Sequence, residues 1–135
     1  MTMPYQFDIT VKPEYLEQNS EPDATQFVFA YHITIRNTGN KSAKLLRRHW
    51  VITDANGEVE EIHGDGVTGE QPLIEPNCEH TYSSFCILGT PVGCMHGSYQ
   101  MLGEDGSTFN ADIPVFTLAM QRIRAIALKL YAYRG

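Results

Sequence analysis

The sequence predicts an all-β protein, folded as an antiparallel β-sandwich of about seven strands. Apolar residues alternate with polar ones over several short segments, and turn residues separate these segments at intervals of about eight to twelve residues. The segments before residue 119 show no helical periodicity between them. A parallel sheet would need crossover connections of about a dozen residues or more, and the chain has no room for them.

Each strand is predicted from its own pattern. Alternation of apolar and polar residues is clear from Tyr5 to Lys12 and stronger from Phe27 to Ile35. Asn56-Gly57 predicts a hairpin with a type I′ turn, which needs positive φ at both central residues. The last strand is expected to end before Pro114. The predicted strands cover residues 5–12, 27–35, 43–53, 59–63, 80–88, 93–102 and 108–113.

Composition limits the class of function. The chain has 135 residues, enough for one domain with one core, and a net charge of −6. This charge argues against nucleic-acid binding, which needs Lys and Arg to replace phosphate counterions. No apolar run approaches the roughly 20 residues of a membrane span, and the N-terminus shows no export signal. We therefore expect a cytoplasmic location and no membrane span.

The three cysteines predict neither a metal knuckle nor a redox motif. Cys78, Cys86 and Cys94 are odd in number and contain no CxxC pair. Free cysteine packs as a small apolar residue, so reduced side chains in strands and loops are expected. The sequence predicts no cofactor.

The C-terminal segment differs from the rest of the chain. Residues 119–135 contain four basic residues and no acidic one, with apolar residues at helical spacing. The predicted division is a β-sandwich over 1–118 and a basic tail over 119–135. Whether this tail forms a short helix or is disordered stays open, as does contact with a membrane surface, with the sandwich or with a partner chain.

Several motifs in series are shared with one known family. They include Arg48-His49-Trp50, the segment Gly64–Pro72, Met95–Tyr99 and Phe109–Pro114. The chain resembles the bacterial ApaG family over about residues 5–118. The resemblance implies a fibronectin type III-like, immunoglobulin-like sandwich. It also implies an indirect link to Co²⁺/Mg²⁺ efflux, a gene neighbourhood of diadenosine tetraphosphate hydrolysis, and relatives that act as protein-interaction modules.

The segment Gly64–Gly69 has the spacing GxGxxG of dinucleotide-binding loops. Such loops hold a pyrophosphate at a helix N-terminus, and here a helix is not predicted and acidic residues surround the glycines. We interpret the segment as part of a partner-binding loop. A weak nucleotide or pyrophosphate site, built from loop N–H groups with an arginine, is the alternative. The candidate binding residues are Gly64, Asp65, Gly66, Gly69, Pro72, Arg48 and Trp50.

Metal binding and catalysis are weaker hypotheses. His63 and Asp65 could provide two metal ligands, with Glu60 or Glu61 adding a carboxylate, although a solvated acidic hairpin explains them more simply. Ser83 and Ser84 follow each other on a predicted strand without a nucleophile elbow, which is more typical of a solvent-facing edge. The sequence therefore predicts a non-catalytic module for protein–protein interaction, with an unknown partner and a homodimer left open.

Overall fold

A computed structural model describes residues 3–120, which form a sandwich of two antiparallel sheets. The all-β prediction is confirmed. Two short 3₁₀ turns, Glu17–Asn19 and Pro22–Ala24, lie between the first two strands. The eight strands in this part of the chain are β1 Phe7–Tyr15, β2 Phe27–Asn37, β3 Ala43–Asp54, β4 Val59–Asp65, β5 Leu73–Ile74, β6 Glu79–Leu88, β7 Val92–Gly103 and β8 Thr108–Ala119.

The strand order places four long strands at sheet edges. One sheet has the order β1-β2-β6, and the other has the order β4-β3-β7-β8, with the short β5 pairing with β3 beyond β4. Strands β1 and β6 are therefore the edges of the first sheet, and β4 and β8 are the edges of the second. The prediction that the serine-containing strand is a sheet edge is confirmed for residues 3–120, in which β6 pairs with β2 and with no other strand.

The core lies between the inner faces of the two sheets. In β2 the side chains of Phe29, Ile33 and Ile35 are buried, as the alternating pattern predicts. From the opposite sheet, Trp50 packs edge-on against Tyr31 of β2, with ring centroids 5.3 Å apart. These inward-facing aromatic and β-branched residues hold the sheets together without any disulfide, and all three cysteines are free.

The end of the last strand differs from the prediction, and its pairing with β7 is irregular. The last strand does not end before Pro114 but continues to Ala119. Proline is compatible with an edge strand because its missing N–H can face away from the neighbour. The register of β7 and β8 also shifts between Met95 and Gly97, so that Met95 pairs with Phe116. The irregularity accommodates the proline and lets the strand resume.

The hairpin between β3 and β4 is confirmed, but the predicted turn type is wrong. Gly57 has a φ of 81°, whereas Asn56 is not among the residues with positive φ. The Gly57 amide donates to the Asp54 carbonyl over 3.1 Å, and the Asp54 amide donates to Glu58 over 3.0 Å. The loop therefore has three residues, a turn followed by a left-handed glycine. Asp54 Oδ1 stabilises it by accepting from the Asn56 amide over 2.8 Å.

The described chain ends just after β8. The Met120 amide donates to the Pro91 carbonyl over 2.9 Å, which continues the attachment of β8 to the sandwich. Residues 1–2 and 121–135 lie outside the described residues, and so does most of the predicted basic tail.

Candidate binding surface

The second half of the glycine-rich segment is a tight turn. The Val67 amide donates to Glu70 over 2.8 Å, and the Glu70 amide returns a hydrogen bond of 3.0 Å. Thr68 and Gly69 occupy the corners with φ values of 47° and 80°. Positive φ at both corner residues is the signature of a type I′ turn, and glycine takes up this conformation without strain. Gly69 thus belongs to a reversal of the chain that follows β4, Gly66 lies just before this reversal, and Gly64 is still part of β4.

Gly66 fits a position with no space for a side chain. Its φ is 62°, and its amide donates to the Leu46 carbonyl over 2.8 Å. A Cβ atom here would overlap the Glu70 carbonyl oxygen and come within 2.9 Å of the carbonyl carbon. The next residue, Val67, is fully buried in the core. The segment is therefore anchored on the sandwich through both its backbone and a side chain.

Arg48 connects this segment to β3. Its Nη1 donates to the Asp65 carbonyl over 3.0 Å and to the Gly66 carbonyl over 2.9 Å. The guanidinium lies flat against Gly64, where a Cβ atom would be only 2.6 Å from the arginine Cζ. One contact therefore explains two of the candidate residues, because Gly64 has no side chain and leaves space for the guanidinium of Arg48.

This arrangement does not favour the pyrophosphate alternative. A phosphate nest needs free backbone N–H groups that converge on the anion. The amides of Gly66, Val67 and Glu70 are already hydrogen-bonded within the chain. The arginine that could have assisted is directed at carbonyl oxygens instead.

Trp50 and Pro72 lie away from the exposed part of the loop. The Trp50 side chain is only 2% exposed and belongs to the core. The Pro72 carbonyl accepts a 3.0 Å hydrogen bond from Leu45, which fixes the end of the loop on β3. Thr90, in the loop before β7, is also buried. Its Oγ1 accepts a hydrogen bond from the Ala55 amide over 3.0 Å. Trp50 and Thr90 are therefore buried supports of the loops, whereas the Pro72 side chain is half-buried.

A group of tyrosines lies between the sheets near Arg48. The hydroxyls of Tyr82 and Tyr99 are hydrogen-bonded to each other. Burial raises the pKa of both phenols far above the ordinary value, and it also raises the pKa of Tyr31. These groups are therefore protonated at neutral pH and do not act as bases. Burial likewise raises the pKa of the Cys86 thiol to about 12.

Ser83 has partners that the sequence did not reveal. Its Oγ lies 2.6 Å from His32 Nδ1, and His32 Nε2 lies 2.9 Å from Glu14 Oε2. The three side chains cross the outer face of the first sheet, one from each strand, and they are exposed to water. An exposed row of this kind is an ordinary cross-strand polar network on a sheet.

A second polar cluster lies on the outer face of the other sheet. His49 pairs with His63 across β3 and β4, and the rings stack with centroids 4.2 Å apart and an interplanar angle of 11°. His49 Nε2 is 3.0 Å from Glu61 Oε1. The predicted ligand His63 is therefore brought together with His49, which the sequence did not single out. Asp65 instead pairs with Arg47, whose Nε is 3.4 Å from Oδ1.

Apolar side chains are exposed along β6. Phe85 and Ile87 point away from the core and are 65% and 56% exposed. They lie beside Ala30 and Val28 of β2, to which they are register partners. Val59, at the start of β4, is 61% exposed and lines a shallow depression together with Ile87. The sequence does not predict this apolar surface, because alternation alone does not show whether a face of the strand is covered by another element.

Comparison with known proteins identifies the family. The ApaG domain model matches residues 17–103, which is more than half of the chain. The chain belongs to the ApaG family. Protein ApaG of Thiobacillus denitrificans is 56% identical over 119 residues, which cover 88% of this chain and 94% of that protein. Protein ApaG of Pseudomonas putida is 53% identical over 116 residues, which cover 86% of this chain and 92% of that protein.

A solved ApaG-like structure has the same fold. The crystal structure of the putative ApaA protein from Bordetella pertussis superposes with a TM-score of 0.88 at 43% identity. The match covers 90% of this chain and 99% of that one. The sandwich described above is therefore the fold of this ApaG chain. Within residues 3–120, no helix is long and apolar enough to cross a bilayer.

Proposed function

We propose that this ApaG chain is a non-catalytic module that binds a partner protein through the free edge of β6 and the apolar side chains beside it. The occupant that fits this surface is an extended, uncharged segment of another protein, added as a further strand. The exposure of Phe85 and Ile87 on an edge strand is the observation that carries the proposal.

The chemistry of the edge supports strand addition. Proteins usually protect edge strands with charges, proline or bulges, because a free edge recruits other strands. The other three long edge strands contain such residues at several positions. In β6 the one charged residue is Glu79, at the start of the strand, and the segment 81–88 has no charged residue and no proline. The protecting residues are Lys12, Pro13 and Glu14 in β1, Glu60, Glu61 and Asp65 in β4, and Asp112 and Pro114 in β8.

The outer face of β6 adds an apolar contact to these backbone groups. Phe85 and Ile87 lie on the same side of the strand, two residues apart. Val59 lies across a shallow depression from Ile87, and this depression is also lined by Asp54, Glu58 and Glu60. A partner strand with apolar residues at alternate positions would cover Phe85 and Ile87 while its backbone pairs with the edge. Burial of these side chains would stabilise the complex.

The glycine-rich segment has a supporting role in this proposal. Arg48 and the amide network fix the chain after β4 against β3. An effect on Co²⁺ or Mg²⁺ efflux would be indirect and would pass through the partner. The proposal includes a cytoplasmic location, which the three free cysteines support because such thiols are usual in a reducing compartment.

Photocrosslinking in intact cells tests the surface. p-Benzoylphenylalanine is introduced at Phe85, and in a matched control at Val115, which is 66% exposed on the edge strand β8. We expect a crosslink to one other protein from position 85 and none from position 115. The substitution Phe85→Lys should abolish co-purification of that protein, whereas Val115→Lys should preserve it.

Three results would overturn the proposal. One is equal crosslinking from both positions, which would indicate contact without specificity. Another is crosslinking only between copies of this chain, which would make the β6 edge a homodimer contact. The third is co-purification that survives Phe85→Lys. Equal melting temperatures of the two lysine variants would show that loss of binding is not caused by unfolding.

A further inference from the structure

We propose that His49, Glu61 and His63 form a binding site for one divalent transition ion of the Zn²⁺ class, which joins β3 to the edge strand β4. The nitrogen and oxygen ligand atoms of the three residues all lie within 4.8 Å of one another. The site is on the outer face of the second sheet and does not depend on the proposed partner.

The register of the hairpin creates this site. His49 and His63 are direct cross-strand partners, and Glu61 lies two residues before His63 on the same face of β4. Glu61 Oε1 already lies 3.0 Å from His49 Nε2. A bound ion would take the place of the hydrogen atom in this hydrogen bond. The stacked ring of His63 lies beside this pair and provides the third ligand.

The required adjustment is small. Zn–N bonds of about 2.0–2.1 Å in a tetrahedral site place ligand atoms roughly 3.4 Å apart. The His49–Glu61 pair is already closer than this, and His63 and Glu61 are exposed, so side-chain rotation alone can bring the third atom inward. Three protein ligands on an open surface leave the fourth position to water.

The donor set determines which ions fit. Two imidazoles and one carboxylate suit Zn²⁺ and its neighbours, whereas Mg²⁺ prefers oxygen ligands in an octahedral arrangement. Two arginines line the same shallow depression as His49 and His63. Arg48 donates to backbone carbonyls, and Arg47 pairs with Asp65 over 3.4 Å. The charge of Arg47 is partly neutralised, so it opposes the ion less than a free arginine would.

A bound ion would have a structural consequence. In the described part of the chain, β4 is an edge strand that pairs with β3 alone, and the glycine-rich turn follows it directly. An ion that binds the native hairpin and not the unfolded chain stabilises the fold by mass action. The site would therefore act as a metal clip on this hairpin.

Calorimetric titration of the full chain tests the site. We expect Zn²⁺ to bind at one ion per chain and MgCl₂ to produce no saturable heat. His63→Gln should weaken Zn²⁺ binding at least tenfold. The matched control is His32→Gln, because His32 forms a similar exposed pair with Glu14 but lacks a second imidazole beside it. This control should retain the wild-type affinity.

Thermal unfolding and a thiol control distinguish an ion bound at the two histidines from an ion bound elsewhere on the chain. Zn²⁺ should raise the melting temperature of the wild type but not of His63→Gln or His49→Gln. Cys78 is an exposed thiol that could bind the ion instead, so the titration is repeated with Cys78→Ser. Absence of saturable Zn²⁺ binding, loss of binding in Cys78→Ser, or equal weakening by His32→Gln would each overturn the proposal.

Discussion

Alanine substitution at two glycines of the same turn separates backbone strain from steric overlap. Gly66 and Gly69 both have positive φ, at 62° and 80°. A Cβ atom at Gly66 would overlap the Glu70 carbonyl, whereas at Gly69 nothing lies within 4 Å. The two variants therefore share the conformational cost, and only one of them adds a collision with backbone.

The expected magnitudes follow from these contacts. An L-residue in the left-handed region costs about 1–2 kcal/mol, and alanine regains about 0.4–1 kcal/mol through the unfolded chain. Gly69→Ala should therefore lower the free energy of unfolding by about 1 kcal/mol. Gly66→Ala adds an overpacking cost of about 1–3 kcal/mol, for a total near 2–4 kcal/mol. The collision is with backbone, so a rotamer change cannot relieve it.

Urea unfolding monitored by circular dichroism measures both values, with equal m-values as the check that the two variants unfold from similar native states. The corresponding fall in melting temperature is about 10 °C for Gly66→Ala and about 3 °C for Gly69→Ala. If the free energies of unfolding of the two variants differed by less than about 0.5 kcal/mol, steric overlap would not be the reason that position 66 requires glycine.

Three further predictions concern the supports of the fold and the question of whether Ser83 takes part in catalysis. Arg48→Met should lower the free energy of unfolding by about 2–3 kcal/mol, because two hydrogen bonds from a charged donor are lost. The control Arg47→Met breaks only an exposed ion pair, so in the same urea assay it should cost less than about 0.5 kcal/mol. Because burial raises the pKa of Cys86 from 9.0 to about 12, the unfolded thiol ionises first, and stability should fall as the pH rises from 9.0 to 12; Cys86→Ala should show a smaller fall. Ser83→Ala should hydrolyse p-nitrophenyl acetate at the wild-type rate, and a large loss of rate would indicate that the His32 network is catalytic.

Most of the fold could be predicted because alternation with period two is a local property of the sequence. The pattern in β2 gives both the strand and its buried face, and the structure confirms them. Pro114 illustrates the limit of this reasoning. Proline ends a strand at a position where an N–H is needed to pair with a neighbouring strand. Whether the N–H is needed there depends on which side of the strand the neighbour lies. The position of β8 at an edge is a property of the topology and is not visible along the chain.

The candidate surface was less predictable because its members are defined by neighbours in other strands. Arg48 and Gly64 were both selected from sequence, but their contact explains them as one structural unit. Trp50 was selected as a surface candidate and lies in the core, the position that its strand alternation also allowed. Phe85 and Ile87 alternate as a buried face would, but they are exposed because no element within residues 3–120 covers them.

The loop between β3 and β4 decides whether the two histidines meet. A two-residue type I′ turn at Asn56-Gly57 would pair Ala55 with Glu58 and would place His49 opposite Gly64. The observed three-residue loop shifts the pairing by one residue, so that Thr53 pairs with Val59 and His49 pairs with His63. A shift of one residue moves every side chain of a strand relative to its neighbour's faces. The proposed metal site therefore depends on the conformation of a turn beyond the end of β3, which local pattern alone does not determine.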